Sequence, residues 1–415
     1  MFILHCIEPK SGIDIDFKFD NITHSLYTLD DQIFENYKWQ IKRSLNKGKK
    51  VRLLMGTNCN LNCSYCSQEK TDIEYSISDC SNILNVLAKI KEPISVIEFW
   101  GGEPLAYIKY IKILVDLIRS DKKYVNTEFA IITNGYLLTD NIVDFLIRHQ
   151  FRIQISYDGY TQNQRSNFDY FELKIPYIKR LLNDPILKEK RCINFATVLT
   201  SKQDLIKAQS YFQKHFKQKV NLQPIPLLFM NNKLISQRLD DIKQRNIFKQ
   251  TYNLSIRDEN FYSCQLQTNE LACSILHHNP QESSRPCVTA DDKDVVIDLK
   301  GNIFLCQNRC KTKDVIGNLF NGDYFNMKHN KFNNYSFCDE CLLSWCCHGS
   351  CRILKDQLFT ETCRSYFYYY FAMFCAAIYK ITGCVVKSVD NLNLPVYQND
   401  RLEIKHFKNF KAVEL

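Results

Sequence analysis

The sequence predicts an α/β protein with a parallel sheet, followed by a cysteine-rich segment. Short apolar runs, helical patterns between them and a concentration of cysteines after residue 286 lead to this prediction. Strands that alternate with helices favour parallel pairing through right-handed crossovers. The periodicity alone permits either a partial barrel or an open, doubly wound sheet. The six strand-like runs cover residues 51–55, 94–100, 129–133, 151–156, 193–199 and 220–225.

Helical patterns fill the intervals between these runs. An apolar stripe at three-to-four spacing extends from Leu105 to Ile118. Thr139 followed by Asp140 is typical of a helix N-terminus. Further helices are predicted over residues 76–90, 169–182 and 202–216.

Cysteine usage and the N-terminus together indicate the compartment. Nineteen cysteines would suggest disulfides in a secreted protein. Residues 1–10, however, lack a basic segment followed by a long apolar run, so no signal peptide is predicted. No apolar stretch is long enough to span a membrane. We therefore expect a cytoplasmic protein, without membrane association, that uses its cysteines to bind metal.

The charge balance argues only weakly for a nucleic-acid partner. The formal net charge is +9 at pH 7, with cysteines counted as neutral. Cysteines that bind clusters are thiolates, and three loaded clusters would lower the net charge to roughly +4. A solvated basic surface explains the remaining positive charge, so no nucleic-acid partner is expected.

Three cysteines follow the first predicted strand on one short loop, spaced as Cys59-x-x-x-Cys63-x-x-Cys66. Three thiolates can hold three irons of a cubane cluster and leave the fourth iron open to a small molecule. Structural zinc sites usually pair cysteines two apart and supply four ligands, which this spacing fits poorly. The triplet therefore favours an iron–sulfur cluster over zinc.

This triplet, with the motifs that follow it, resembles the radical SAM (S-adenosylmethionine) enzymes. The resemblance implies a partial (β/α)6 radical SAM barrel. In such enzymes a reduced [4Fe-4S] cluster splits SAM into methionine and a 5′-deoxyadenosyl radical, which takes a hydrogen atom from the substrate. An electron donor such as flavodoxin or ferredoxin is implied as a partner.

Residues at the carboxyl ends of the predicted strands match the SAM-binding motifs of that family. Tyr65 occupies the aromatic position before the third cysteine, near the adenine, and simple packing is its alternative. A turn is the alternative for Asp158, and a surface charge for Arg165. The motif positions are Gly101, Gly102, Glu103 and Pro104 for the SAM ammonium group, Asn134 after the third strand, Ser156 and Asp158 for the ribose, and Arg165 for the carboxylate.

A second cysteine array resembles the SPASM domain, which binds auxiliary clusters. Its central cysteines are separated by two, five and three residues. The best alternative for these four, Cys338, Cys341, Cys347 and Cys351, is a zinc ion. The resemblance implies one [4Fe-4S] cluster on Cys338, Cys341, Cys347 and Cys363, and another with three irons on Cys287, Cys306 and Cys351. The fourth iron of the second cluster is either bound by Cys310 or open to substrate, and Cys346 is a further candidate ligand.

These motifs divide the chain into five predicted parts. The N-terminal extension is expected to hold a strand or two and a helix, and the C-terminal arm to pack against the rest or be partly mobile. The parts are the extension at 1–50, the partial barrel at 51–230, a helical connector at 231–285, the SPASM domain at 286–384 and the arm at 385–415.

The resemblance implies a peptide-modifying enzyme with SAM and three [4Fe-4S] clusters. A maturase that crosslinks side chains of a ribosomally made precursor peptide, as in cyclophane, ether or thioether formation, is the favoured prediction. Sulfatase-maturating enzymes, which make formylglycine, are an alternative, but they carry Asp where this chain has Gln307. An amide is a poor proton acceptor near neutral pH. A non-catalytic iron–sulfur or zinc adaptor is the alternative from another class.

Overall fold

The structure is a computed structural model that describes all residues except 37–47, 70, 168, 258, 260, 279–293, 323–335, 348, 352 and 413–415. Its strands are β1 (Phe2–Ile7), β2 (Asp14–Asp20), β3 (Ser25–Thr28), β4 (Lys49–Leu54), β5 (Ile94–Trp100), β6 (Glu128–Thr133), β7 (Arg152–Ser156), β8 (Ile193–Leu199), β9 (Leu222–Pro226), β10 (Asp294–Asp298), β11 (Asn302–Phe304), β12 (Val315–Asn318), β13 (Val385–Gln398) and β14 (Arg401–Lys411). Its helices are α1 (Ile77–Ser81), α2 (Ile83–Ala88), α3 (Ile108–Ser120), α4 (Asp140–Arg148), α5 (Phe171–Asn183), α6 (Pro185–Glu189), α7 (Leu205–Phe216), α8 (Asp241–Ser255), α9 (Ser263–Leu276), α10 (Ser344–Cys347) and α11 (Asp356–Thr382).

A nine-stranded sheet has the order β12-β11-β10-β4-β5-β6-β7-β8-β9. Strands β4 to β9 are parallel to their neighbours and follow one another in chain order. All six predicted strands are therefore present, each within two residues of its predicted bounds. A doubly wound sheet reverses its strand order at a switch point. Strands β4 to β9 have no such reversal, so that alternative is wrong.

The predicted helices are present, with one difference in continuity. The helix expected over 76–90 is divided into α1 and α2 at Asn82, whose side chain accepts a hydrogen bond from Asn85. The backbone at Asn82 has ψ 0°, away from the value of about −42° that is usual in α-helices, so the regular helix is interrupted there. Thr139 precedes α4 as predicted, but its side chain makes no capping hydrogen bond. The apolar stripe of α3 is buried as its spacing predicts.

Both ends of the chain belong to a second, antiparallel sheet of order β14-β13-β1-β2-β3. β1 lies between β2 and β13, with Leu4 opposite Phe17 on one side and Val389 on the other. The extension at 1–50 and the arm at 385–415 are thus joined, which the sequence patterns do not anticipate. The described part of residues 1–50 contains strands, and residues 37–47, where the predicted helix could fall, lie outside the described residues.

One hydrophobic core extends through the segments that the sequence analysis separates. It includes Phe2 from the first strand, Val51 from β4, Phe371 from α11 and Phe410 from β14. β10 pairs with β4 in parallel, so the region predicted as the SPASM domain contributes strands to the sheet of the predicted barrel. Helix α11, with 27 residues, is the longest described helix, and neither it nor any other described helix could cross a bilayer.

Candidate functional site

The carboxyl ends of β4 to β8 lie at one end of the parallel sheet, where α/β proteins bind ligands. The loop after β4 carries Cys59 and Cys63, which are half-buried, and Cys66, which is exposed. Burial raises the pKa of the Cys63 thiol to about 11, and the nearby Arg165 cation opposes that rise. Since a metal binds the thiolate, cluster binding here would release protons.

Gly101 and Gly102 bring the end of β5 into contact with the start of the cysteine loop. Gly102 N donates to the carbonyl of Gly56 at 3.1 Å, and Glu103 N donates to that of Asn58 at 2.9 Å. A Cβ on Gly102 would lie 2.6 Å from the Asn58 oxygen and closer still to the Thr57 oxygen. Only glycine permits this approach.

The buried Glu103 side chain connects the ends of β5 and β6 through hydrogen bonds. Its carboxylate accepts hydrogen bonds from Leu105 N at 2.9 Å, Thr133 Oγ1 at 2.6 Å and Asn134 N at 2.7 Å. Burial raises the pKa of Glu103 to about 6, because desolvation disfavours its charged form. The Asn134 side chain in turn donates to Asn60 Oδ1 at 2.9 Å and lies 3.9 Å from Cys59 Sγ. Pro104 is buried and opens the short turn before α3.

Asp158 and Arg165, the predicted contacts of the SAM ribose and carboxylate, bind each other through two hydrogen bonds. Arg165 Nε donates to Asp158 Oδ2 at 2.9 Å, and Arg165 Nη2 donates to Oδ1 at 3.0 Å. The Tyr65 hydroxyl donates a hydrogen bond to Asp158 Oδ2, and the Arg165 Cζ atom lies 5.3 Å from the Tyr65 ring centroid. All three side chains are at least nine-tenths buried, so the alternative of a surface charge for Arg165 is wrong. Ser156 ends β7 and is half-buried.

A cavity of about 690 Å³ opens beside the cysteine loop. It is lined by that loop, by residues 163–167 after β7, by 201–202 after β8 and by 236–237. Apart from Leu61, Arg165 and Lys202, the lining side chains carry amides or hydroxyls. Its volume is within the range of about 300–1,000 Å³ that is usual for small-molecule sites.

Four of the predicted auxiliary ligands lie together. Burial raises the pKa of the Cys363 thiol, and the neighbouring thiols of Cys347, Cys341 and Cys338 raise it further. The thiols of Cys341 and Cys338 likewise raise the pKa of the Cys347 thiol. Cys351 is buried in a small apolar cluster that also contains Cys338.

The remaining predicted ligands follow β11. Cys306 is half-buried, and Cys310 is buried with its Sγ directed to the carbonyl of Gln307 at 3.2 Å. Burial raises the pKa of Cys310, and the neighbouring Cys306 raises it further. Cys287 lies outside the described residues.

The two cysteine loops are in contact. Glu69 N, three residues after Cys66, donates to the Asn308 carbonyl at 2.9 Å, and Trp100 Nε1 donates to that of Gln307 at 3.1 Å. Three buried polar atoms around this contact, Gln68 Nε2, Gln307 Oε1 and Arg309 Nε, have no hydrogen-bond partner among the described residues. Buried polar atoms normally have partners; the two N–H donors, Gln68 Nε2 and Arg309 Nε, suit cluster sulfurs or a polar ligand, and the acceptor Gln307 Oε1 suits a ligand donor.

Within the described residues, no three His, Cys, Asp or Glu side chains are placed to hold a single metal ion. Each cysteine of a cubane binds a different iron, so cluster ligands lie farther apart than the ligands of one ion. The absence of such a group among the described residues therefore bears on sites for single ions and not on sites for clusters.

Sequence reasoning missed the residues that support Asp158 from β8. Val198 N donates to Asp158 Oδ1 at 3.0 Å, and Thr197 Oγ1 donates to it at 3.3 Å. Gln203 Nε2 donates to the Asp158 carbonyl at 3.0 Å. The one available signal was a polar threonine within an apolar strand, which gives no indication of its partner.

Comparisons with known proteins agree with this arrangement. A family model described as the radical SAM superfamily matches residues 53–188. The radical SAM cyclopropyl synthase TigE of Paramaledivibacter caminithermalis is 26% identical over 353 residues, which cover 76% of this chain and 72% of TigE. The uncharacterized protein MJ0907 of Methanocaldococcus jannaschii is 30% identical over 166 residues, which cover 37% of this chain and 54% of that protein. The structure of native anSMEcpe with bound AdoMet has a TM-score of 0.61 at 20% identity, and the match covers 80% of this chain and 99% of anSMEcpe.

Proposed function

We propose, from the premise that this chain carries a radical SAM domain and is an enzyme of that superfamily, that it modifies a ribosomally made precursor peptide. The proposed product is an oxidative side-chain crosslink through a C–C, ether or thioether bond. The observation that carries the proposal is the contact between the two cysteine loops at Glu69 and Asn308. Because the loop of Cys306 and Cys310 borders the first cysteine loop, a substrate bound beside both could lose a hydrogen atom and an electron.

The residues at the strand ends fit the cofactors that this function needs. Cys59, Cys63 and Cys66 would hold the [4Fe-4S] cluster that, with SAM, supplies a 5′-deoxyadenosyl radical. Gly101 and Gly102 keep side chains away from the loop backbone, and Asn134 fixes that loop by its contact with Asn60. The amides and hydroxyls that line the adjacent cavity suit the polar groups of SAM and of a peptide backbone.

An oxidative crosslink removes two hydrogen atoms from the peptide. The first leaves as a hydrogen atom to the 5′-deoxyadenosyl radical. A proton and an electron would leave when the new bond forms, and an auxiliary cluster held by the second cysteine array would accept the electron. The proximity of Cys338, Cys341, Cys347 and Cys363 supports an auxiliary cluster there. A flavodoxin or ferredoxin would deliver the electron that starts each turnover.

The TigE relative favours one of the three bond types. It is named a cyclopropyl synthase, and a cyclopropane ring requires a new C–C bond. Gln307 counts against formylglycine formation, because its amide cannot take the proton that the aspartate of sulfatase-maturating enzymes takes. A non-catalytic adaptor does not agree with membership in an enzyme superfamily.

The test is the intact mass of the short peptide encoded beside this gene, after anaerobic co-expression with the enzyme. We expect a loss of two hydrogen masses per modification, and fragmentation should locate the bond. Co-expression with Cys63→Ala is the control and should leave the peptide unchanged. An unmodified peptide, together with an enzyme that still cleaves SAM, would contradict this substrate assignment.

Replacing Cys338 with alanine is expected to separate SAM cleavage from product formation. The variant loses an auxiliary ligand but keeps the complete first loop, so 5′-deoxyadenosine should still form while the crosslinked product disappears. Both species can be measured by mass spectrometry in one reaction. Cys346→Ala changes the neighbouring cysteine and tests separately whether Cys346 is a ligand. Equal product from wild type and Cys338→Ala would contradict the proposed electron exit.

A further inference from the structure

We propose that Tyr65, Asp158 and Arg165 form one buried positioning unit that fixes the cysteine loop and balances the charge beside its cluster. This inference rests on the proposed function, since it assumes a redox cluster on Cys59, Cys63 and Cys66. It gives Asp158 and Arg165 roles different from those that the sequence motifs suggest, which are contacts with the ribose and the carboxylate of SAM.

Asp158 has little hydrogen-bonding capacity left for a ligand. Its Oδ1 accepts from Arg165 Nη2, Val198 N and Thr197 Oγ1, and its Oδ2 accepts from Arg165 Nε and the Tyr65 hydroxyl. A carboxylate offers about four lone-pair sites, so these five contacts saturate it. Asp158 is also completely buried. A ribose hydroxyl could therefore bind Asp158 only by displacing one of its present partners.

The same unit is attached to the loop between the second and third cysteines. Ser64 N donates to the Gln164 carbonyl at 3.0 Å, one residue before Arg165. Tyr65, the next residue, bonds Asp158 through its hydroxyl and lies under the Arg165 guanidinium. Gln237 Nε2 donates to the Ser64 carbonyl at 3.3 Å from the other side. Ser64 and Tyr65 are thus held through contacts that lead to β7 and β8, and the adjacent Cys63 and Cys66 are held with them.

Charge is the second role of the unit. Asp158 is not exposed, and Arg165 is 7% exposed where it lines the cavity, so solvent screens the two charges only weakly. A cation near a cluster stabilises its reduced form, which carries one more electron, and a carboxylate does the opposite. Because the two residues form a bidentate pair, the cluster experiences a nearly neutral unit. Removal of either partner would leave a buried charge close to Cys63.

The test is the reduction potential of the SAM-binding cluster in the full-length holoenzyme, without peptide. The cluster is identified in an EPR-monitored redox titration by the change that SAM causes in its signal. Asp158→Asn should raise the potential and Arg165→Gln should lower it. We expect at least a tenfold change in the ratio of reduced to oxidised cluster at a fixed potential, equivalent to 59 mV for one electron. The double variant should return close to the wild-type potential.

Controls separate this role from general destabilisation. Asp169→Asn changes an exposed carboxylate that bonds Tyr157 on the same segment, and should leave the potential unchanged. Iron content reports how much cluster each variant holds. If Asp158→Asn alone holds no cluster, recovery of the cluster in the double variant supports the unit. Failure of the double variant to recover the cluster contradicts it. Shifts of the same sign in both single variants, or unchanged potentials with a raised KM for SAM, would overturn the proposal. A wild-type protein without a SAM-responsive signal would instead overturn the proposed function.

Discussion

Alanine in place of Cys63 is expected to abolish the cleavage of SAM. Cys63 is the middle one of the three proposed ligands, so its loss would leave only two thiolates on the loop, too few for a stable cubane with one open iron. The measurement is 5′-deoxyadenosine formed anaerobically with dithionite, which should fall to the level found without enzyme. Iron content and the cluster EPR signal should fall with it.

Cys192→Ala is the matched control for this prediction. Cys192 is a buried cysteine that lies before β8, at the opposite end of the strand from the site. Its variant should cleave SAM at the wild-type rate. Deoxyadenosine production by Cys63→Ala above background would mean that another residue completes the cluster, and the assignment of the triplet would be wrong.

Gly102→Ala is expected to reduce kcat/KM for SAM cleavage by about 100-fold, since misplacing reacting groups by about 1 Å has costs of this size. The new Cβ would meet the carbonyl oxygens of Thr57 and Asn58, which are backbone atoms and cannot move without moving Cys59. The defect should appear in SAM cleavage and in SAM binding by calorimetry, with most of the protein still folded by circular dichroism.

Gly12→Ala provides the comparison. Gly12 has φ +70°, so alanine is strained there, yet a Cβ added at this position would have no atom within 4 Å, and the residue is on an exposed turn. This variant should lose some stability and keep its SAM cleavage. Wild-type kinetics in Gly102→Ala would contradict the close contact between the glycine motif and the cysteine loop.

The parts of the proposed site that the sequence could predict are those whose residues lie close together along the chain. The spacing of Cys59, Cys63 and Cys66 indicates the proposed cluster loop, because the three cysteines lie within one short stretch of sequence. The six strands could be predicted for a similar reason, since buried parallel strands are short continuous apolar runs. Pairing between distant residues has no such local signature.

The saturation of Asp158 illustrates the limit. The motif at Ser156-Tyr157-Asp158 indicates a polar residue at the end of β7, but not that Val198 N, from the neighbouring strand, would occupy it. Which of two oxygens a partner reaches depends on strand register, and register is fixed by the packing of the whole sheet. The pairing of Leu4 with Val389 is hidden in the same way, because residues 385 apart share no sequence pattern.

The sheet that joins the two ends of the chain has a consequence for the order of events during synthesis. β1 emerges from the ribosome nearly four hundred residues before β13. Until then, one edge of β1 has no partner, and an unpaired apolar edge is a site for aggregation. Pairing of such high sequence separation is also slow. Conditions that delay the completion of the chain should therefore lower the yield of native protein, independently of how well its clusters are supplied.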